Sequence, residues 1–105
     1  MAGDILLTRE LVWAVSYSAY HWAMDFLAGE VTDAGLRRKI TEVHESGVGI
    51  FDVTELPAPW RAEILLSLRT RFVDYSAQRL PGPRAGSEGF LAMCRELAEL
   101  AAKAG

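Results

Sequence analysis

A single cysteine, Cys94, rules out an intrachain disulfide and a cysteine-built zinc site. The expected setting is a reducing cytoplasm. Positive charge is also in deficit, with 11 Lys and Arg against 14 Asp and Glu, net −3. Nucleic-acid backbones are held by clustered cations that neutralise phosphates, so no direct binding of DNA or RNA is expected. The longest uncharged run, Leu11 to Met24, covers 14 residues and includes Ser16, Ser18 and His21. A bilayer span takes about 20 apolar residues. Met1-Ala2-Gly3-Asp4 lacks the basic segment that opens a signal peptide, and no membrane contact is expected.

Catalytic motifs are missing as well. Gly47-Val48-Gly49 has neither the third glycine nor the Gly-Lys-Ser/Thr of a phosphate loop. Ala85-Gly86-Ser87-Glu88-Gly89 departs from the nucleophile elbow at Ala85, and Pro81-Gly82-Pro83-Arg84 precedes it where a strand is needed. Ser87 is explained by a helix N-cap. Neither a catalytic residue nor a cofactor nor a metal is expected, and the chain is read as a binding protein and not an enzyme.

What is present is hydrophobicity: half of the residues are apolar and 24% charged, the balance of one soluble globular domain over residues 1–105. Arg9 to Ala28 reads as a first helix capped by Thr8 at its start and by Gly29 just past its end, with two apolar stripes: Leu11, Val15, Trp22 and Trp13, Tyr17, Tyr20, Met24, Leu27. Thr32 and Asp33 open a second helix, with Leu36, Ile40 and Val43 inward and Gly47 as its stop. Gly47 to Leu56 reads as a loop with room for a short strand near residues 48–53, for which only Ile5 to Leu7 offers a partner. Pro57 and Pro59 start a third helix of about 20 residues that ends at Pro81. Residues 81–89 read as a non-helical loop, and a last helix carries Phe90, Cys94, Leu97 and Ala101 on one stripe. The predicted fold class is all-α, a compact bundle of about four helices.

Two residue sets stand out. Glu30, Asp33, Glu42, Glu45, Asp52 and Glu55 concentrate acid in one stretch, and residues 1–55 hold nine acidic and four basic side chains, net −5. Such a surface suits a basic protein partner. Trp13, Tyr17, Tyr20 and His21 cluster on the first predicted helix. They read first as core, and otherwise as a small-molecule pocket or, where a stripe is uncovered, a homodimer interface. His21 and Asp25 lie one helical turn apart, the spacing at which a histidine and a carboxylate share a metal or a proton. His21 and Asp25 by themselves do not make a site, and nothing in the sequence brings His44 to His21. Arg61, Arg69, Arg71 and Arg79 scatter around the third helix with Glu63 and Asp74 interleaved, the pattern of a solvated face. Cys94, on an apolar stripe, reads as a packing thiol.

The run Phe26-Leu27-Ala28-Gly29-Glu30-Val31-Thr32-Asp33, then an amphipathic helix, a loop, a helix with Phe72-Val73-Asp74-Tyr75 and a closing helix, resembles small bacterial immunity proteins of the colicin D type. The resemblance spans residues 20–100 in the order of elements. It implies a helical bundle that neutralises a toxic RNase by covering its basic cleft with acidic side chains. The expected function is therefore a small acidic immunity or inhibitor protein for a nuclease-like toxin. The alternative is a small-molecule-binding domain or enzyme using the aromatic pocket.

Overall fold

The computed structural model describes residues 2–79 and 85–105, without the side chains of residues 85–87. It corrects the all-α expectation: five α-helices among the described residues accompany a three-stranded sheet. Strands β1 (Ala2–Leu6) and β2 (Val12–Ser16) form an antiparallel hairpin in which Ile5 faces Trp13. Strand β3 (Ile50–Asp52) runs parallel to β1 on its other side, with Phe51 opposite Ile5, giving the order β2-β1-β3.

The first predicted helix fails over Arg9 to Ser16 because side chains there alternate with a period of two. Trp13 is buried while Val12 and Ala14 are exposed, and valine and tryptophan suit a pleated surface. Thr8 does accept backbone hydrogen bonds, from the N–H groups of Glu10 at 3.2 Å and Leu11 at 3.0 Å, but they close the hairpin loop and cap no helix. The helix α1 (Tyr17–Glu30) begins only after Ser16, whose hydroxyl accepts the Ala19 N–H at 3.3 Å.

Helix α1 lays Ala19, Tyr20, Ala23, Met24, Phe26 and Leu27 on the inner face of the sheet and the other helices. Gly3 permits that approach, since a Cβ there would fall 2.3 Å from Tyr20 Cβ. Helix α2 (Ala34–Ser46) returns antiparallel beside α1. Asp33 caps it by accepting the Leu36 N–H at 2.9 Å, and Gly47 ends it at φ 73°. Arg37 of α2 donates to the Ala28 carbonyl at 3.0 Å and to that of Val31, satisfying acceptors at the end of α1.

After β3 a 3-10 turn (Val53–Glu55) leads to α3 (Ala58–Thr70), α4 (Phe72–Arg79) and α5 (Ala85–Ala104). The predicted third helix is thus two, broken at Arg71, whose φ of −126° and ψ of −21° leave the helical region. The loop expected over 81–89 is shortened, because α5 begins at Ala85, two residues before Ser87; residues 81–84 lie outside the described residues. Ser87 therefore stands inside α5 and not at its N-cap. Helix α5 buries Cys94, Leu97 and Ala101 against α3 and α4. No described helix is long and apolar enough to cross a membrane.

The helices cover one face of the sheet, carrying Ile5, Trp13 and Phe51. Val12, Ala14 and Ile50 point the other way and are exposed.

Candidate functional site

The edge of the sheet at β3 combines exposed apolar and acidic side chains. Gly47 at φ 73° and Gly49 at φ 77° turn the chain sharply between α2 and β3, and Val48 between them is pushed outward. Val48 is 67% exposed and Ile50 48%. Beside them runs an open groove of about 400 Å³, lined by Lys39 and Val43 of α2 and by Val48, Ile50, Phe51, Asp52, Glu55 and Leu56. Lys39 and Val43 reach it together because residues four apart share a helix face.

The acidic residues divide between structural work and this edge. Glu30 pairs with Arg71 at a second, larger groove of about 630 Å³. In that groove Glu63 accepts the Thr32 N–H at 2.6 Å and its hydroxyl at 3.0 Å. Asp33 is the α2 cap. Asp52 accepts the Thr54 N–H at 2.9 Å and also borders the β3 groove. Glu55 lies on the same rim. Glu42 and Glu45 are exposed on α2, with Glu42 beside the Lys39–Val43 face and Glu45 further round the helix. The structure thus gathers Asp52 and Glu55 with Glu42 at the margin, and leaves Glu30, Asp33 and Glu45 apart.

The aromatic set does not line either groove. Trp13 is buried on β2, donates its indole N–H to the Met93 carbonyl at 3.0 Å, and meets Phe72 edge-on at 6.3 Å. Tyr20 is buried, and its hydroxyl has no partner among the described residues. Burial, with the neighbouring Tyr17 phenol second, pushes its pKa above the ordinary tyrosine value. Tyr17 stacks on Tyr20 at 6.0 Å and stands edge-on to His21 at 4.1 Å.

Sequence reasoning missed His44. It comes from α2 to place Nε2 in hydrogen-bond contact with His21 Nδ1, the ring centroids 4.4 Å apart. Behind it, Asp25 Oδ1 stands 3.5 Å from His44 Nδ1. His21 and Asp25, one turn apart on α1, both meet the same ring from α2.

Cys94 is a packing thiol. It donates to the Ser76 hydroxyl at 3.4 Å, which also accepts the Trp22 indole N–H at 2.9 Å. Burial pushes the thiol pKa up, outweighing the Ser76 hydrogen bond and the Arg95 charge. A thiol held protonated is a poor nucleophile. Comparison with protein-family models, curated proteins and solved structures finds no match to the chain.

Proposed function

We propose that this chain is a protein-binding module that docks a basic partner on the β3 edge and the adjoining face of α2, acting as an inhibitor of a nuclease-like effector. One observation carries the reading: Val48 and Ile50, two of the four large exposed apolar side chains among the described residues, stand together at a sheet edge. Strand β3 also leaves one side of its backbone unpaired, so a partner can add hydrogen bonds there. Asp52 and Glu55 rim the apolar centre, with Lys39 the basic member of the groove lining. An apolar centre with a charged rim is the anatomy of a transient interface, and the acidic rim favours a partner whose cleft binds phosphates.

The test compares wild type with Val48→Asp and Ile50→Lys as bait for partners in native lysate, followed by kinetics on the captured protein. A basic partner held stoichiometrically by wild type should bind either variant about tenfold or more weakly, a loss of about 1.4 kcal/mol or greater. Glu42→Ala with Glu55→Ala should lower the association rate and flatten its salt dependence. A partner retained undiminished by both apolar-site variants would overturn the docking surface.

A further inference from the structure

We propose that His21 and His44 form a two-histidine site for a divalent transition-metal ion of the zinc, nickel or copper class, with Asp25 orienting His44 from behind. The site bridges α1 and α2 and does not depend on the docking surface at β3.

The geometry supplies the parts in the order such sites use them. His21 Nδ1 and His44 Nε2 face one another across the helix pair. The other nitrogen of His44, Nδ1, lies 3.5 Å from the Asp25 carboxylate. A carboxylate on the far nitrogen is the usual support of a metal-binding histidine, because it holds the ring in place and keeps the proton on that side. The Tyr17 ring, perpendicular to His21 at 88°, limits rotation of the other imidazole. His44's side chain is 21% exposed and Asp25's 68%, so an ion can reach the pair from solvent.

Proton placement is consistent with this role. Asp25 favours the proton on His44 Nδ1, which leaves Nε2 as a lone pair facing His21, and His21 then donates its Nδ1–H into that lone pair. When an ion enters, the His21 proton moves from Nδ1 to Nε2 by exchange with solvent. The two facing nitrogens then present lone pairs. Two bonds of 2.0–2.1 Å at a tetrahedral angle require them to stand about 3.3 Å apart, an opening that partly exposed side chains can make.

Imidazole donors suit zinc, nickel and copper, whereas magnesium and calcium take oxygen. Among the described residues no group of three metal-binding side chains is assembled. Water therefore completes the coordination shell, and the ion exchanges readily. Bound across two helices, it stabilises the folded chain in proportion to its occupancy.

The experiment uses untagged, chelator-stripped protein titrated separately with Cu²⁺, Ni²⁺, Zn²⁺ and Mg²⁺. It is followed by thermal unfolding and, with diamagnetic Zn²⁺, by NMR of the backbone amides together with the two imidazoles. The expected result is saturable one-to-one binding, tightest for Cu²⁺ and absent for Mg²⁺, with a concentration-dependent rise in Tm and Zn²⁺-induced shifts centred on the His21 and His44 rings and the amides around them. His21→Gln and His44→Gln should each lose at least tenfold in affinity, and Asp25→Asn about 10–100-fold. Metal-free circular dichroism establishes that each variant is folded, and the wild-type NMR map decides the site even where one is not. Three results would overturn the proposal: no saturable response, binding that survives in both single-histidine variants, or perturbed signals that map elsewhere. Any of these leaves the pair as a hydrogen-bonded clip between α1 and α2.

Discussion

Replacing Tyr20 by phenylalanine should make the protein more stable. The ring is buried between α1 and β1, and its hydroxyl has no hydrogen-bond partner among the described residues. Burying a hydroxyl without compensation costs about 1–3 kcal/mol in proteins. Tyr20→Phe removes that oxygen and keeps the ring against Gly3 and Tyr17, so the unfolding free energy should rise by about 1–3 kcal/mol. At about 4–8 °C per kcal/mol for a domain near this size, Tm should rise by about 4 °C or more. A second signature appears at high pH. Burial raises the Tyr20 pKa in the folded protein, so above the ordinary tyrosine value near 10 the unfolded chain gives up its proton first. The stabilising effect of that shift is complete below about pH 10 and is lost as pH climbs through the folded-state value. Tyr20→Phe should therefore lose less stability than wild type across the alkaline range. Urea unfolding of both proteins at neutral pH and at about pH 9 to 11 measures the two effects together. A variant less stable at neutral pH by more than about 1 kcal/mol would refute the reasoning, because it would mean that the hydroxyl makes a productive hydrogen bond.

The Gly3 contact makes the opposite prediction. Gly3→Ala would place a Cβ 2.3 Å from Tyr20 Cβ and 2.4 Å from Cγ, near-backbone atoms that cannot swing away. The denaturant midpoint should fall by the equivalent of about 1–3 kcal/mol as α1 is pushed off β1, with m unchanged. Ser76→Ala leaves the Trp22 indole N–H and the Cys94 thiol without their shared acceptor. A loss of about 1–3 kcal/mol, with a change in tryptophan emission, is expected. An unchanged melting curve would show that the indole finds another partner.

The second helix was legible because its signals agree with one another. An aspartate cap, apolar residues at Leu36 and Ile40, and a glycine stop point to the same element, and the structure places Asp33 and Gly47 in those roles. The hairpin was hidden by a coincidence of periods. Trp13, Tyr17, Tyr20, Met24 and Leu27 satisfy helical spacing across Ser16, although the first of them lies on a strand and the rest on α1. The local alternation of Val12, Trp13 and Ala14 was too short to outweigh five apparent helical matches, and its strand partner lay at the extreme N-terminus. Arg71 is neither glycine nor proline, so nothing in the sequence announces the break before α4, beyond which Phe72 is buried in the core.

The histidine pair was within reach of sequence arithmetic once the hairpin of helices was accepted. The link between α1 and α2 is only residues 31–33, and so short a connection makes the two helices antiparallel neighbours. His21 lies nine positions before the last residue of α1, Glu30, and His44 ten positions after the first residue of α2, Ala34. At 1.5 Å per residue the two climb nearly the same height from the turn, so they must lie level across the pair. Asp25, one turn nearer the link on the same face of α1 as His21, then falls beside His44. What the arithmetic lacked was the true end of α1: a helix closed at Ala28 and capped by Gly29 lengthens the link and loses the match. No glycine closes α1: Gly29 lies inside it, and Arg37 of α2 takes the Ala28 and Val31 carbonyls from nine and six residues away, a side-chain contact that residue spacing does not announce.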